Sequence, residues 1–213
     1  MPKSQEREYR SMTVMAVKRA EEGVTESGGK SYTVRGYAST FNEPYDLMED
    51  MQGNMIHEVV DPHAFDKADM SDVIMQYDHA GMVYARTRNG SLKIGTDDHG
   101  LWIEADLGLT EESRKLYEAI DTGLVDRMSF CFVIEAEEYE KTTRTWRITQ
   151  IGKVYDVSAV SIPANPGTDI SAARKRILDG VIEEERTERS AAEARQKKIR
   201  MLKVRAKLAR AMS

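Results

Sequence analysis

The stretch Met128–Ile162 reads MSFCFVIEAEEYEKTTRTWRITQIGKVYDVSAVSI. Three runs in it are rich in β-branched and aromatic residues: Met128–Glu135, Thr145–Ile151 and Val154–Ile162. Side chains alternate with a period of two along a strand, so Met128, Phe130 and Phe132 fall on one face of the first run, with Ser129, Cys131 and Val133 on the other. In the third run Tyr155, Val157 and Ala159 line one face, and Asp156 and Ser158 the opposite one. Working upstream, shorter runs of the same kind occur at Met12–Val17, Tyr32–Tyr37, Ile56–Val60, Val73–Tyr77, Leu92–Ile94 and Leu101–Leu107. Turn signals separate them, at Ser27-Gly28-Gly29, Asn89-Gly90 and Asp97-Asp98-His99-Gly100. Strands spaced in this way predict a closed or nearly closed antiparallel sheet. Asn89-Gly90 predicts a hairpin, because both residues tolerate positive φ.

One helix interrupts the strands. Thr110 is placed to cap it, Glu111 and Glu112 suit its positive end, Leu116 and Ile120 are i,i+4 partners, and Gly123 stops it. It reads as a packing helix without chemistry.

After Pro163 and Pro166 the character changes. Thr168 or Asp169 can cap a helix over Ala172–Leu178, which Gly180 ends or bends. Val181–Arg210 then has no proline or glycine and is dense in Ala, Glu, Arg and Lys, and its apolar residues are sparse, Ile199, Leu202 and Leu208 among them. This pattern predicts a long charged helix or a disordered tail rather than a packed element. The expected layout is therefore an N-terminal strand and linker over 1–30, a main domain over 31–171 and a basic helical tail over 172–213. Residues 172–213 hold 13 Lys and Arg against 6 Asp and Glu, a net of +7, which leaves the body at −12. Arg195–Arg210 has eight basic residues and no acidic one, as a docking or nucleic-acid-binding arm would. No aromatic residue interleaves with them to stack on bases.

The whole chain has 213 residues, a formal charge of −5, 40% hydrophobic residues and 31% charged ones. Its single cysteine, Cys131, precludes an intrachain disulfide and points to a reducing compartment. The polar start MPKSQEREYR does not read as a signal peptide, and no apolar run approaches the roughly 18 residues of a membrane span. Collagen, disulfide-scaffold and membrane classes are excluded. A soluble, cytosolic globular protein is expected.

Three places carry residues with chemical potential. Of the four histidines, His57, His63, His79 and His99, no spacing matches a short metal-ligand pattern, so no metal and no cofactor is expected. His99 reads as a turn residue, and His63 sits where a loop turns into a short helix. His79 stands in Tyr77-Asp78-His79-Ala80-Gly81 at the end of a strand, placed to face a cleft or to serve as a structural histidine. Ser129, beside bulky core residues, is either filler or a nucleophile. Serine is unreactive at its own pKa and needs a neighbouring imidazole to take its proton. Asp156 puts a carboxylate inside an otherwise apolar strand, which is costly unless it is paired, for example with a histidine.

Taken in order from Val34 to Ala172, seven stretches resemble the prohead proteases of tailed bacteriophages, the family of the HK97 maturation protease. Arg35-Gly36-Tyr37-Ala38-Ser39-Thr40-Phe41-Asn42 is similar to an early G-x-A-x-x-F stretch. Glu58-Val59-Val60-Asp61-Pro62-His63-Ala64-Phe65 is similar to E-x-(I/V)-x-P-G-A-F, with His63 where the family has glycine. Tyr77-Asp78-His79 resembles the aspartate-histidine pair that bears the catalytic imidazole. Asp98–Leu101 with Leu107 resembles the D-x-x-G-L segment, and Tyr117–Gly123 the helix before the nucleophile. Met128-Ser129-Phe130-Cys131-Phe132 is similar to the S-x-G-F nucleophile motif, with Cys131 in place of glycine. Tyr155–Pro166 resembles (E/D)-V-S-x-V-x-x-P-A-N-P.

The resemblance implies an α+β fold like the herpesvirus assembly protease, a mainly antiparallel β-barrel ringed by helices. It implies a serine endopeptidase with Ser129 as nucleophile, His79 as general base and then acid, and Asp156 as the group orienting His79. Asp78 and Asp126 remain alternatives for that third place, and Arg127 or backbone N–H groups for the oxyanion donors. The implied work is cleavage of scaffold, of the capsid protein's scaffolding segment and of the enzyme itself. The implied place is the assembling procapsid in the host bacterial cytoplasm, with the major capsid protein and scaffold as partners. A homodimer is left open, no membrane is involved, and nucleic acid enters only through the tail. Two other readings stand beside this one: a catalytically inactive capsid- or scaffold-associated relative, and a nucleic-acid-binding protein acting through its basic tail. The −12 body speaks against a nucleic-acid surface there.

Overall fold

A computed structural model describes residues 8–12, 18–19, 31–50, 52–161, 180, 183–184 and 186–201. The chain divides into two units, 1–169 and 170–213. The first is built around a long hairpin, β10 (Arg127–Glu140) and β11 (Thr145–Val160). At about 3.3 Å per residue β11 is matched in length by β10 but far outruns the short strands on its other edge. One edge of β11 accordingly takes two parallel partners in succession, β5 (Met55–Val60) along Thr145–Ile148 and β6 (Ile74–Tyr77) along Asp156–Ala159. Its other edge pairs antiparallel with β10, and β1 (Glu8–Met12) adds to the far side of β10 with Ser11 opposite Ser129. β4 (Tyr45–Glu49) lies beyond β5, and β7 (Ala80–Arg86) beyond β6, completing seven strands. A second sheet runs β2 (Lys18–Arg19), β3 (Thr33–Thr40), β9 (Gly100–Asp106) and β8 (Leu92–Thr96).

The predicted alternation places the core. Met128, Phe130 and Phe132 are fully buried, as are Val157 and Ala159 across the hairpin. Phe130 and Phe132 stack with ring centroids 4.3 Å apart. Val34, Leu101 and Ile103 of the second sheet belong to the same buried cluster, as do Leu116, Tyr117 and Ile120 of the helix α1 (Glu111–Asp121). That helix is capped as expected: the Thr110 side chain accepts from the Ser113 N–H at 3.0 Å, and Gly123 follows the helix at φ 75°. At Gly100 a side chain is sterically excluded, since a Cβ there would lie 2.0 Å from the carbonyl oxygen of Ser39. The second sheet depends on that close approach.

The structure corrects several expectations. Among the described residues the strands form two sheets and no closed barrel, and two pairings of β11 are parallel. The reason lies in β11, whose single edge is shared lengthwise between β5 and β6. Nor is the body ringed by helices: among the described residues its one α-helix is α1, and the chain is mixed α+β and mostly strands. The runs Thr145–Ile151 and Val154–Ile162 are one strand as far as Val160, because Gly152 is taken up as a bulge and Lys153 resumes the pairing opposite Val133. Asn89-Gly90 does not close a hairpin. Gly90 takes φ 76° after a 3-10 turn at Thr87–Asn89 that passes the chain from β7 in one sheet to β8 in the other. β4 and β7 had no counterpart among the predicted strands. Of the run Met12–Val17 only Met12 is described, and the predicted helix Ala172–Leu178 lies outside the described residues.

In the second unit the described residues 183–184 and 186–201 are helical and exposed. No helix among the described residues is long and apolar enough to cross a membrane.

Candidate active site

The site is assembled on one face of three neighbouring strands. Ser129 on β10 and Ser158 on β11 are cross-strand partners, and Asp156 lies two residues before Ser158, so all three project to the same side. β6 flanks the other edge of β11, with Tyr77 opposite Ala159. Immediately beyond, Asp78 and His79 form the two-residue link to β7, whose first residue, Ala80, pairs back with Tyr77. Both linker residues have positive φ, 50° and 55°, as a tight hairpin of this hand requires. This conformation costs a residue with a side chain on the order of 1–2 kcal/mol, and Asp and His are among those that tolerate it best. The turn brings the His79 ring back to β11, where it meets Asp156.

There the imidazole bridges the other two side chains. Its Nδ1 lies 2.6 Å from Asp156 Oδ1, and its Nε2 lies 2.5 Å from Ser129 Oγ. An ionised carboxylate can only accept, so Nδ1 carries the proton and donates to Asp156. That leaves Nε2 to accept the hydroxyl proton of Ser129. The Ser158 hydroxyl donates to the same Asp156 oxygen at 2.8 Å. Ser129 is fully buried, and the side chains of His79 and Asp156 retain 13% and 8% of their exposure. A hydrogen-bonded relay shielded from water is what base-assisted attack by a hydroxyl needs.

The remaining candidates lie elsewhere or face other partners. The Asp78 carboxylate accepts from Ser161, through its N–H at 2.9 Å and its hydroxyl. Asp126 lies 3.8 Å from the Arg127 guanidinium, at an exposed position. Arg127 shares the Ser129 face of β10, two residues away. Cys131 is buried opposite Asp156 in the register, beside the relay. His57 pairs with Asp46 at 3.0 Å, His63 with Asp66 at 3.2 Å, and His99 packs edge-on against Tyr37 in the Asp97–Gly100 turn. Among the described residues no group of three or more His, Cys, Asp or Glu could hold a metal ion.

Two features were not read from the sequence. Ser158 shares the face of Asp156 and carries no assigned part in the sequence reading, although the Asp-x-Ser spacing alone puts a donor beside the carboxylate. The contact of Asp78 with Ser161 had no local signal, since 83 residues separate them.

No curated protein and no solved structure matches the chain. The family model for the caudovirus prohead serine protease matches residues 16–180. Since that match spans well over half of the chain, the protein belongs to the caudovirus prohead serine protease family, the serine proteases of phage capsid maturation.

Proposed function

We propose that the chain is an active endopeptidase in which Ser129 is the nucleophile, His79 the general base and then acid, and Asp156 the group that orients His79. The observation that carries this reading is the unbroken relay from Ser129 Oγ through the imidazole to Asp156. Ser129 Oγ attacks a peptide carbonyl carbon while its proton passes to Nε2. The tetrahedral adduct collapses, the C–N bond breaks, and the departing amine takes the proton from Nε2. A water molecule then attacks the acyl-enzyme, giving its proton to Nε2, and the acid product leaves as Ser129 recovers its hydrogen. Asp156 holds the tautomer that makes each transfer productive and stabilises the imidazolium between them. Arg127, two residues from Ser129 on the same face, is proposed to help stabilise the oxyanion.

In this reading the substrates are the scaffold, the scaffolding segment of the major capsid protein and the chain itself, cut inside the assembling procapsid. The exposed helical residues 186–201 fit an arm that recruits the enzyme to the shell and is then trimmed. An inactive relative has no need of a serine, histidine and aspartate joined in series, so the relay favours the active enzyme over that alternative. Intact-mass spectrometry over time on the full chain and its Ser129→Ala variant tests the proposal. The wild type is expected to shorten while the variant keeps its full mass. Identical shortening of both would overturn it.

A further inference from the structure

We propose that Asp78 is a positioning residue, whose carboxylate latches the His79 turn to the end of β11 and so sets the imidazole between Ser129 and Asp156. The inference rests on the catalytic reading of His79 given above.

The regular pairing of β6 with β11 ends at Tyr77 and Ala159, immediately before the two-residue turn that carries the histidine. Beyond that point Asp78 makes the remaining attachments itself. Its N–H donates to the carbonyl of Ala159 at 3.0 Å. Its Oδ1 accepts the Ser161 N–H at 2.9 Å, and its Oδ2 lies 3.0 Å from the Ser161 hydroxyl. Asp78 thus grips β11 on both sides of Val160, through its backbone and through its side chain. His79, the next residue, hangs from this grip with φ 55°. β6 has only four residues and β7 begins directly after His79, so these contacts of Asp78, with the His79 bond to Asp156, carry the attachment to β11 past the end of the regular pairing.

The carboxylate of Asp78 points to Ser161 and not to the imidazole, so its part is geometric. A latch of this kind needs an oxygen acceptor at that place and does not need a negative charge. Asparagine keeps the acceptor and tolerates the same backbone conformation. Glycine adopts the conformation more readily still but has no acceptor. The pair therefore separates the latch from the turn's backbone preference and from any charge effect.

The experiment compares the full-length wild type with Asp78→Asn and Asp78→Gly by two readouts. One is the rate at which diisopropyl fluorophosphate modifies Ser129. The other is the far-downfield proton resonance of His79 Nδ1–H, recorded in the Ser129→Ala background, where no reaction is required. Asp78→Asn is expected within about threefold of the wild-type rate, with its resonance retained. Asp78→Gly is expected to lose about tenfold or more, as displaced catalytic groups do, with its resonance broadened or lost. Asp78→Gly behaving as wild type in both readouts would overturn the latch, and so would Asp78→Asn failing as badly as Asp78→Gly. A wild type that does not react at all refutes the catalytic reading, while the resonance still decides the latch.

Discussion

His79 and Ser129 are 50 residues apart in the chain, yet Nε2 of one and Oγ of the other are 2.5 Å apart. Neither strand-end geometry nor the β10 register produces this alone. It requires a left-handed two-residue turn after β6, a parallel pairing of β6 with β11, and a hairpin that sets Ser129 opposite Ser158. The three proposed catalytic residues are thus held by adjacent strands of one sheet, which leaves them little freedom to drift apart.

Asp156→Asn keeps the size of the side chain and removes its charge. An amide that turns its NH2 toward Nδ1 forces the proton onto Nε2, where it blocks acceptance from Ser129. Turnover is expected to fall by about 10⁴-fold, with the fold and the thermal midpoint nearly unchanged. Steady-state kinetics alongside thermal melting checks this.

Ser158→Ala removes the second donor to Asp156 Oδ1 and leaves that oxygen held by His79 alone. A hydrogen bond to a charged group contributes about 1.5–3 kcal/mol. A loss of about tenfold in kcat is expected, with KM little changed, and Ser158→Thr should recover most of it. A loss confined to KM would show that Ser158 contacts substrate instead.

Away from the relay, Asp69 fastens the loop before β6 to β11. Its carboxylate accepts from Lys153 Nζ at 2.7 Å and from Ser71, and these contacts hold its pKa far below the usual carboxylate range. A depressed folded-state value stabilises the fold fully above the unfolded carboxylate pKa, about 3.9, and the contribution is lost as pH falls below it. Asp69→Asn should therefore lower the urea midpoint at pH 7, and the difference from wild type should shrink below about pH 4. The pair is partly exposed, so the effect is small and should weaken in high salt.

The tail makes a separate prediction. Deleting Glu183–Ser213 should leave hydrolysis of a peptide intact and abolish incorporation into proheads. Counting the enzyme per particle by quantitative mass spectrometry measures this, and unchanged incorporation would remove the arm from the account. Binding of the deleted segment to duplex DNA with steep salt dependence would instead favour a nucleic-acid role.

The parts of the fold legible in the sequence are those set by local alternation. Met128, Phe130 and Phe132 read as a core face because their period is two, and Thr110 read as a cap because its hydroxyl has an orphan N–H within reach. What stayed hidden depends on distant partners. β7 exposes Met82 and Val83 and opens with Ala-Gly, so it shows no alternation. β4 is short and buries only Leu47 of its five residues, and the division of β11 between two parallel neighbours has no local signature. The site was half legible in the same sense. A carboxylate in an apolar strand signals that Asp156 needs a partner, but which of Asp78, Asp126 and Asp156 lies against His79 depends on the register of three strands.

The most direct test of the central claim is to treat the folded wild type and a His79→Ala variant with diisopropyl fluorophosphate and map the adduct by peptide mass spectrometry. The account predicts a single adduct on Ser129 in the wild type, and none on the same timescale in the variant. An adduct on another residue, or equal labelling of Ser129 without the imidazole, would contradict it.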